Sequence, residues 1–450
     1  MVFLFFFGLL FSLAAMPNPF IHLPLGIFMG FIPLFALNQN LDGLQKYLTN
    51  LLFFELFAIA LLIPLDASNL IYEFPDTLWI VILFMIIGFI YTLSFTLASY
   101  LSDKYGWNIS PIFFGLCWIA AQYVLTITPF AFPFPIETAL ATFPIMIQSA
   151  RVLGPYFIAF LIISTNALLA NALSKKDRRI WTISITIILV LHIMNMGYGS
   201  WSLGQPSKIG EPVKIAIIQT NLSLKDFALK EQSGLFNKIL NKKLIDVTKD
   251  SLKRSPQLII WPELSGDFIL QNDDYLSYLH KSVTSKGAEL LIGTTYIDYC
   301  NYRNKYNIAF ILKTDGDMTE PYRKNRPFPL FETQWASRGK RSMTLPSATP
   351  LKNVGCMICL ESISPQIAKG LVCSGAKVLV CISVDTSFGN SMVPYIHSAS
   401  MILRAVENNK YGIHVGNSGP SIICDNKGRV ITQIPYGKTA YANAVVYPVK

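Results

Sequence analysis

The most reactive side chains of this sequence are seven cysteines: Cys117, Cys300, Cys356, Cys359, Cys373, Cys381 and Cys424. An odd number leaves at least one thiol outside any disulfide. Cys356 and Cys359 form a C-x-x-C. A zinc site needs four ligands, and neither a second C-x-x-C nor an H-x₃₋₅-H pair accompanies it. A redox pair of this kind opens a helix, whose N-terminus lowers the thiol pKa. Here the pair falls late in an apolar, strand-like run, Val354–Leu360. Residues three apart on a strand face opposite ways, so one cysteine reads as core and the other as free for separate work. Cys359 ends the run, and reactive groups in open α/β sheets gather beyond the carboxyl ends of strands. Glu263 ends another run, Ile259–Glu263. A thiol with an ordinary pKa of about 8.5 needs a base or a positive neighbour. His280 lies in a helical stretch, and His397 and His414 have no motif around them. A carboxylate base is the alternative, with a lysine to hold a developing oxyanion. Lys324 follows a hairpin strand and precedes a proline-rich loop. Each residue alone is more often structural; together, Glu263, Lys324 and Cys359 point to nucleophilic chemistry.

These residues sit on a divided chain. The 450 residues are 52% hydrophobic and 14% charged. A water-soluble globule carries about 25% charged residues, and the composition also excludes disorder and a small disulfide scaffold. Residues 1–200 carry 7 basic and 8 acidic side chains, and residues 201–450 carry 30 and 19. The expected domains are therefore a transmembrane domain over residues 1–200 and a catalytic α/β domain over residues 210–450.

A spanning helix needs about 20 apolar residues. Seven segments are candidates: Val2–Met16, Phe20–Leu37, Tyr47–Leu65, Leu78–Tyr100, Ile109–Thr128, Leu153–Leu173 and Ile180–Tyr198. The first also has the length of a cleaved signal peptide but lacks its basic start. Basic residues mark cytoplasmic loops. Lys175, Lys176, Arg178 and Arg179 crowd one connection, and counting back places Lys46 and Lys104 on the same side. The loops with Asp66, Glu73 and Asp76, and the one around Arg151, then lie outside. The domain after the last helix is expected on the outer face, which in a two-membrane bacterium is the periplasm. Pro129–Ile147 is apolar but holds four prolines, which prevents a regular helix and predicts an interfacial or re-entrant element. Glu55 and His192, inside expected helices, read as packed residues.

In the second half, short β-branched runs alternate with helical patterns. Expected strands include Val213–Gln219, Leu258–Trp261, Glu289–Thr294, Val354–Leu360, Lys377–Ser383 and Tyr411–Val415. Expected helices include Leu229–Leu252, Tyr275–Ser285, Ser364–Cys373 (capped by Ser364) and Pro394–Asn409. Thr314–Asp317 reads as a hairpin turn. The sum is an α/β layered domain.

Three segments in order resemble the carbon–nitrogen hydrolase (nitrilase) superfamily: Trp261–Glu263, Tyr322–Glu332 and Ile358–Glu361. With seven spans in front, the chain resembles its membrane-anchored branch, the apolipoprotein N-acyltransferases. Ala216–Asn221, Asp385–Gly389, Arg404–Glu407 and Asn417–Gly419 add further likeness. The resemblance implies an α-β-β-α sandwich. It implies Glu263 as general base, Cys359 as nucleophile and Lys324 as oxyanion stabiliser. Glu332 resembles the family's second glutamate near the lysine, and Glu361 the acid after the nucleophile. The N–H of Leu360 is a candidate oxyanion donor. The sequence departs from the family pattern at Phe331 (usually Gly), Leu360 (usually Tyr), Ser387 (usually Trp) and Phe227 (commonly Trp). No apolar span follows Ala444–Tyr447, where the family usually has one more helix, so the domain is expected to be tethered at one end.

The expected reaction is transfer of a fatty acyl chain from a membrane phospholipid to a diacylated apolipoprotein through a Cys359 thioester. It needs no cofactor and no metal. The expected partners are phospholipid donor, apolipoprotein acceptor and membrane lipids, with no nucleic acid, and the protein is expected to be a monomer. A membrane-anchored amidase and a non-catalytic lipid-binding homologue are the alternatives.

Overall fold

The computed structural model describes residues 2–63, 74–128, 133–174, 177–223, 233–265, 270, 272–298, 304–329 and 332–449, and for 74–77 and 233–241 the backbone alone. Asp66, Glu73, Lys175, Lys176, Phe227, Cys300 and Phe331 lie outside these residues, as does the side chain of Asp76. The chain divides into two compact units. The first comprises Met1–Ile63, Leu78–Gln205 and Ser391–Ala399, and the second includes Pro206–Asn390 and Ser400–Lys450.

The first unit is helical: α1 (Val2–Ala15), α2 (Ile32–Asn40), α3 (Gly43–Ala60), α4 (Phe74–Tyr105), α5 (Ser110–Ile127), α6 (Pro155–Ser174) and α7 (Arg178–Gly204). Among the described residues, four stretches are long and apolar enough to cross a membrane: Leu78–Tyr105, Trp107–Ile127, Pro155–Ser174 and Arg178–Gly204. The shortest, 20 residues, is about 30 Å long, the thickness of a bilayer core. The expected span Phe20–Leu37 is broken. A 3₁₀ turn at Pro24–Phe28 precedes α2, and Pro33 lies in the first turn of α2, where a proline costs no hydrogen bond. Asn166 of α6 satisfies the freed backbone, accepting from Phe31 N–H (3.0 Å) and donating to the Ile27 carbonyl (2.8 Å).

Asp42 caps α3 in a box with Gln45. Lys46, expected in a loop, lies in the first turn of α3, where it is buried and paired with Asp103. The core is aromatic: the ring centroids of Tyr91 and Trp118 are 4.4 Å apart, and those of Phe54 and Phe95 4.8 Å. The proline-rich segment follows expectation in being irregular. Residues 133–141 are buried, with a 3₁₀ turn at Ile136–Leu140 and one α-turn at Pro144–Ile147. Gln122 of α5 donates to the Phe134 carbonyl (3.1 Å) and to Glu137 (2.9 Å). Irregular backbone is tolerated at membrane depth where protein surrounds it. His192 packs against Phe28 and meets the Thr165 hydroxyl at 3.0 Å.

The second unit is built on two six-stranded sheets. The first contains β1 (Val213–Gln219), β2 (Leu258–Ile260), β3 (Glu289–Ile297), β4 (Lys305–Leu312), β5 (Tyr322–Arg323) and β12 (Ala440–Val446). Its order is β12-β1-β2-β3-β4-β5. The second contains β6 (Leu345–Pro346), β7 (Asn353–Ile358), β8 (Val378–Ser383), β9 (Tyr411–Gly416), β10 (Ser421–Cys424) and β11 (Val430–Ile434). Its order is β11-β10-β9-β8-β7-β6. In each sheet three central strands are parallel and the flanking ones antiparallel. The parallel strands read as unbroken apolar runs because both faces are covered.

Helices α8 (Ser233–Leu252) and α9 (Asp273–Ser282) cover the outer face of the first sheet. There Ala216, Ile218, Ile259, Trp261, Leu290 and Ile292 pack with Leu244, Leu276 and Leu279. The inner faces of the sheets meet: a Cβ on Gly293 of β3 would lie 2.5 Å from Ile382 of β8. Helices α10 (Pro365–Cys373) and α11 (Met392–Asn408) belong to the second half of the domain sequence. Ser364 stands at the N-cap of α10, but its hydroxyl donates to Gln366 (2.9 Å) and caps no backbone N–H. The hairpin reading is met in part. Gly316 N–H closes a turn onto the Lys313 carbonyl and Met318 bridges to Leu312, yet of the strand expected after the turn, Met318–Tyr322, only Tyr322 falls in β5.

Candidate active site

β2 stops at Ile260, and Trp261-Pro262 carry the chain to Glu263, which is 4% exposed. Trp261 is anchored by its indole N–H on Thr248 (2.9 Å). On the neighbouring edge, β5 turns Tyr322 inward and Arg323 outward, and the next residue, Lys324, points inward again with 2% exposure. The alternation of an extended chain thus puts a lysine into the domain interior. Its ammonium donates to Glu263 Oε1 (3.0 Å) and to Glu332 Oε2 (2.6 Å). Glu332 opens a 3₁₀ turn after the proline-rich loop and also accepts from Phe328 N–H (2.8 Å).

Asn307 of β4 completes this group and has no motif in the sequence. Its Nδ2 donates to Glu263 Oε1 (2.6 Å) and Glu332 Oε1 (2.7 Å), and its carbonyl accepts from Lys324 N–H (2.9 Å). The second Glu263 oxygen accepts from Val384 N–H (2.9 Å), just past β8.

β7 ends at Ile358, two residues short of the sequence reading. Cys359 starts a 3₁₀ turn (Cys359–Ile363) at φ +56°. The extended chain therefore bends sharply at the thiol. The turn is pinned from three sides. Ser362 Oγ donates to the Cys359 carbonyl (3.1 Å), Arg404 donates to the Ile363 carbonyl (3.2 Å), and Glu361 Oε2 accepts from Ile358 N–H (2.8 Å). Arg404 is itself paired with Glu407 at 2.9 Å, which gives the Arg404–Glu407 segment its work. Glu361 further accepts from Tyr322 OH (2.8 Å), Asn325 N–H (2.6 Å) and Arg326 N–H (3.2 Å). It therefore ties the turn carrying Cys359 to the segment carrying Lys324. Cys356 lies inside β7 and is buried in the core. Cys381 of β8 donates to the Cys359 carbonyl (3.5 Å).

The electrostatics follow from burial. Desolvation pushes the Glu263 carboxyl up; Lys324 opposes this and Glu332 adds to it. Burial disfavours the Lys324 charge, but Glu263 and Glu332 outweigh it and hold the ammonium well above its usual range. The Cys359 thiol is pushed well up by burial and by the Glu263 carboxylate, against the pull of Lys324. Glu361 is pushed up to about 7 by burial, opposed by its hydrogen bonds. This is a neutral thiol beside an ion cluster. An isolated thiolate is disfavoured there.

The remaining sequence-marked segments frame this group. Asp385 accepts from Ser383 (2.8 Å), and Phe388 stands 6.1 Å ring to ring from Phe328. Asn417 joins the ends of β1 and β9: it donates to the Leu222 carbonyl (2.9 Å) and Thr386 (2.6 Å), and accepts from Thr220 (2.5 Å) and Leu222 N–H (3.1 Å). Leu360 is buried, and Ser387 lies in the short turn Thr386–Phe388.

The carbon–nitrogen hydrolase family model matches residues 214–445. Among curated proteins, an apolipoprotein N-acyltransferase of Geobacter metallireducens is 27% identical over 361 residues, 74% of this chain and 68% of the relative. One of Allorhizobium ampelinum is 27% identical over 333 residues, 67% of this chain and 60% of the relative. The chain thus spans 60% to 68% of the length of these two relatives. Among solved structures, Saccharomyces cerevisiae Nit3 of the nitrilase superfamily aligns at 18% identity and a TM-score of 0.43, over 54% of this chain and 93% of that one.

Proposed function

The chain belongs to the carbon–nitrogen hydrolase family, and on that premise we propose that it acts as a membrane-bound acyltransferase. It moves a fatty acyl chain from a phospholipid to the N-terminal amine of a diacylglyceryl-cysteine on a lipoprotein. The observation that carries this reading is the buried Glu263–Lys324–Glu332 cluster in one domain with a thiol at a sharp strand-to-turn bend, in a chain with long apolar helices. Glu263 takes the Cys359 proton as sulfur attacks the ester carbonyl. Lys324 and the Leu360 N–H hold the oxyanion. The C–O bond breaks, Glu263 returns the proton to the leaving lysophospholipid, and a thioester remains. The lipoprotein amine then attacks the thioester, Glu263 accepts its proton, and the thiol is restored. The amide product keeps the acyl chain in the membrane throughout.

The apolar helices make sense of the donor. Drawing an acyl chain into water costs about 0.8 kcal/mol per CH₂, so the chemistry has to occur at a bilayer. The basic connection before α7 supports an orientation with the catalytic domain on the periplasmic side of the inner membrane. Purified protein mixed with acyl-labelled phospholipid should form a hydroxylamine-sensitive adduct, absent in Cys359→Ala, that a diacylated lipopeptide discharges as an N-acyl product. A labelled adduct persisting in Cys359→Ala overturns the nucleophile. Release of free fatty acid with no lipopeptide product overturns the transfer.

A further inference from the structure

We propose that the second unit carries a phosphodiester-binding pocket for an anionic phospholipid headgroup, built from Arg323, Arg338, Lys340 and Arg341. The pocket has a volume of about 280 Å³ and is also lined by Tyr306, Glu320, Gly339 and Met343. Neither Glu263, Lys324 nor Cys359 lines it. Four cationic side chains thus face one carboxylate. Among the described residues none of the four is in an ion pair. Like charges gathered four to one counter-charge repel one another, and an anion relieves that repulsion.

The backbone holds this gathering in place. A Cβ on Gly339 would lie 2.1 Å from the Arg323 carbonyl, so only glycine lets the 338–341 segment run against β5. Gly339 N–H donates to the Lys324 carbonyl (2.8 Å), and Asn325 Nδ2 donates to the Arg341 carbonyl (3.2 Å). Arg338 and Arg341 are thereby set on either side of Gly339, near Arg323. The Arg323 guanidinium lies 4.5 Å from the Tyr306 ring centroid, a stacking that limits its swing.

The chemistry selects the ligand. Three of the four cations are guanidinium forks, which match the paired oxygens of a phosphate group. A small concave pocket takes a compact headgroup. An acidic peptide laid as a strand would need the free edge of β5, which Gly339 already occupies. The pocket also shares backbone hydrogen bonds with Lys324 and Asn325, so a bound headgroup bears on the segment that carries the lysine. The assignment to a lipid rests on the acyl-transfer reading; the anion chemistry does not.

The test uses the full chain in a neutral detergent. Calorimetry measures binding of glycerophosphoglycerol, inorganic phosphate and an acidic peptide to wild type, to Arg338→Ala/Arg341→Ala and to Arg338→Glu. Thioester formation is followed against phosphatidylglycerol concentration. Glycerophosphoglycerol should bind wild type more tightly than inorganic phosphate and lose at least tenfold in affinity in both variants. KM for the lipid should rise similarly with kcat unchanged. The single exposed change Arg338→Glu preserves the test if the double variant misfolds. The proposal is overturned if affinity is unchanged in the variants, if free phosphate binds more tightly, or if only the peptide binds. Headgroup binding without any thioester sinks the acyl-transfer reading and leaves the pocket. Thioester formation with unaltered KM in the variants does the reverse.

Discussion

Asn307 is the residue whose importance the structure adds. One amide nitrogen bridges Glu263 and Glu332, so both carboxylates are held apart and hydrogen-bonded while sharing Lys324. Asn307→Asp places a third carboxylate among them and raises the Glu263 pKa further. In the proposed mechanism Glu263 is a base only when ionised, so the acid limb of the kcat/KM–pH profile should move to higher pH by one unit or more, with the folded state retained. Glu361 offers a second test. Its folded pKa, about 7, lies above the ordinary carboxylate value of 4.5. Its protonated form is thus favoured by folding, and stability present below pH 4.5 is lost as pH rises through 7. The displacement corresponds to about 3 kcal/mol. Thermal unfolding from pH 4.5 to 8 should show this decline in wild type and a flatter curve in Glu361→Gln. Glu263, Lys324 and Cys359 stand out in the sequence because each ends or follows a recognisable run. Asn307 does not, because a lone asparagine inside a strand carries no spacing, and its role exists only once β4 is laid between the ends of β2 and β5.

At the scale of elements, most runs were legible because apolar period and length dictate them: β1 keeps its expected bounds, and α6 and β8 shift by only a residue or two. The second expected span failed because prolines inside Phe20–Leu37 divide it, and the compensation, Asn166, comes from a distant helix that local sequence does not reveal. The end of β7 was read too long because hydrophobicity continues through Leu360 while the backbone bends at Cys359. One side chain makes several of the bonds that join the end of β1 to the end of β9. Asn417→Ala removes five hydrogen bonds at once, the fifth being its donation to Ser418 (3.3 Å), and leaves buried partners unsatisfied, at a cost of about 3 kcal/mol. Chemical or thermal melts should show that loss, while Lys281→Ala, on the exposed face of α9, should stay close to wild type.

For the whole molecule, composition described neither part. The first 200 residues are nearly neutral and apolar, and the last 250 carry most of the charge. That division was visible because charge density and helix length are properties of the chain itself. The proposed orientation has a direct readout. Cys373 is exposed, whereas Cys356, Cys359, Cys381 and Cys424 are buried. In a Cys117→Ser/Cys300→Ser background, a membrane-impermeant maleimide applied to intact spheroplasts should label the protein, and a further Cys373→Ser change should remove that signal. Labelling of Cys373 only after lysis would reverse the topology. The bend at Cys359 has a wider consequence. Its φ of +56° suits glycine, and a residue with a Cβ pays about 1 kcal/mol to stay there. On the proposed mechanism, folding and turnover therefore pull in opposite directions at this position: Cys359→Gly relaxes the backbone and removes the nucleophile in one change, so the most comfortable residue for the bend is one that cannot do the chemistry.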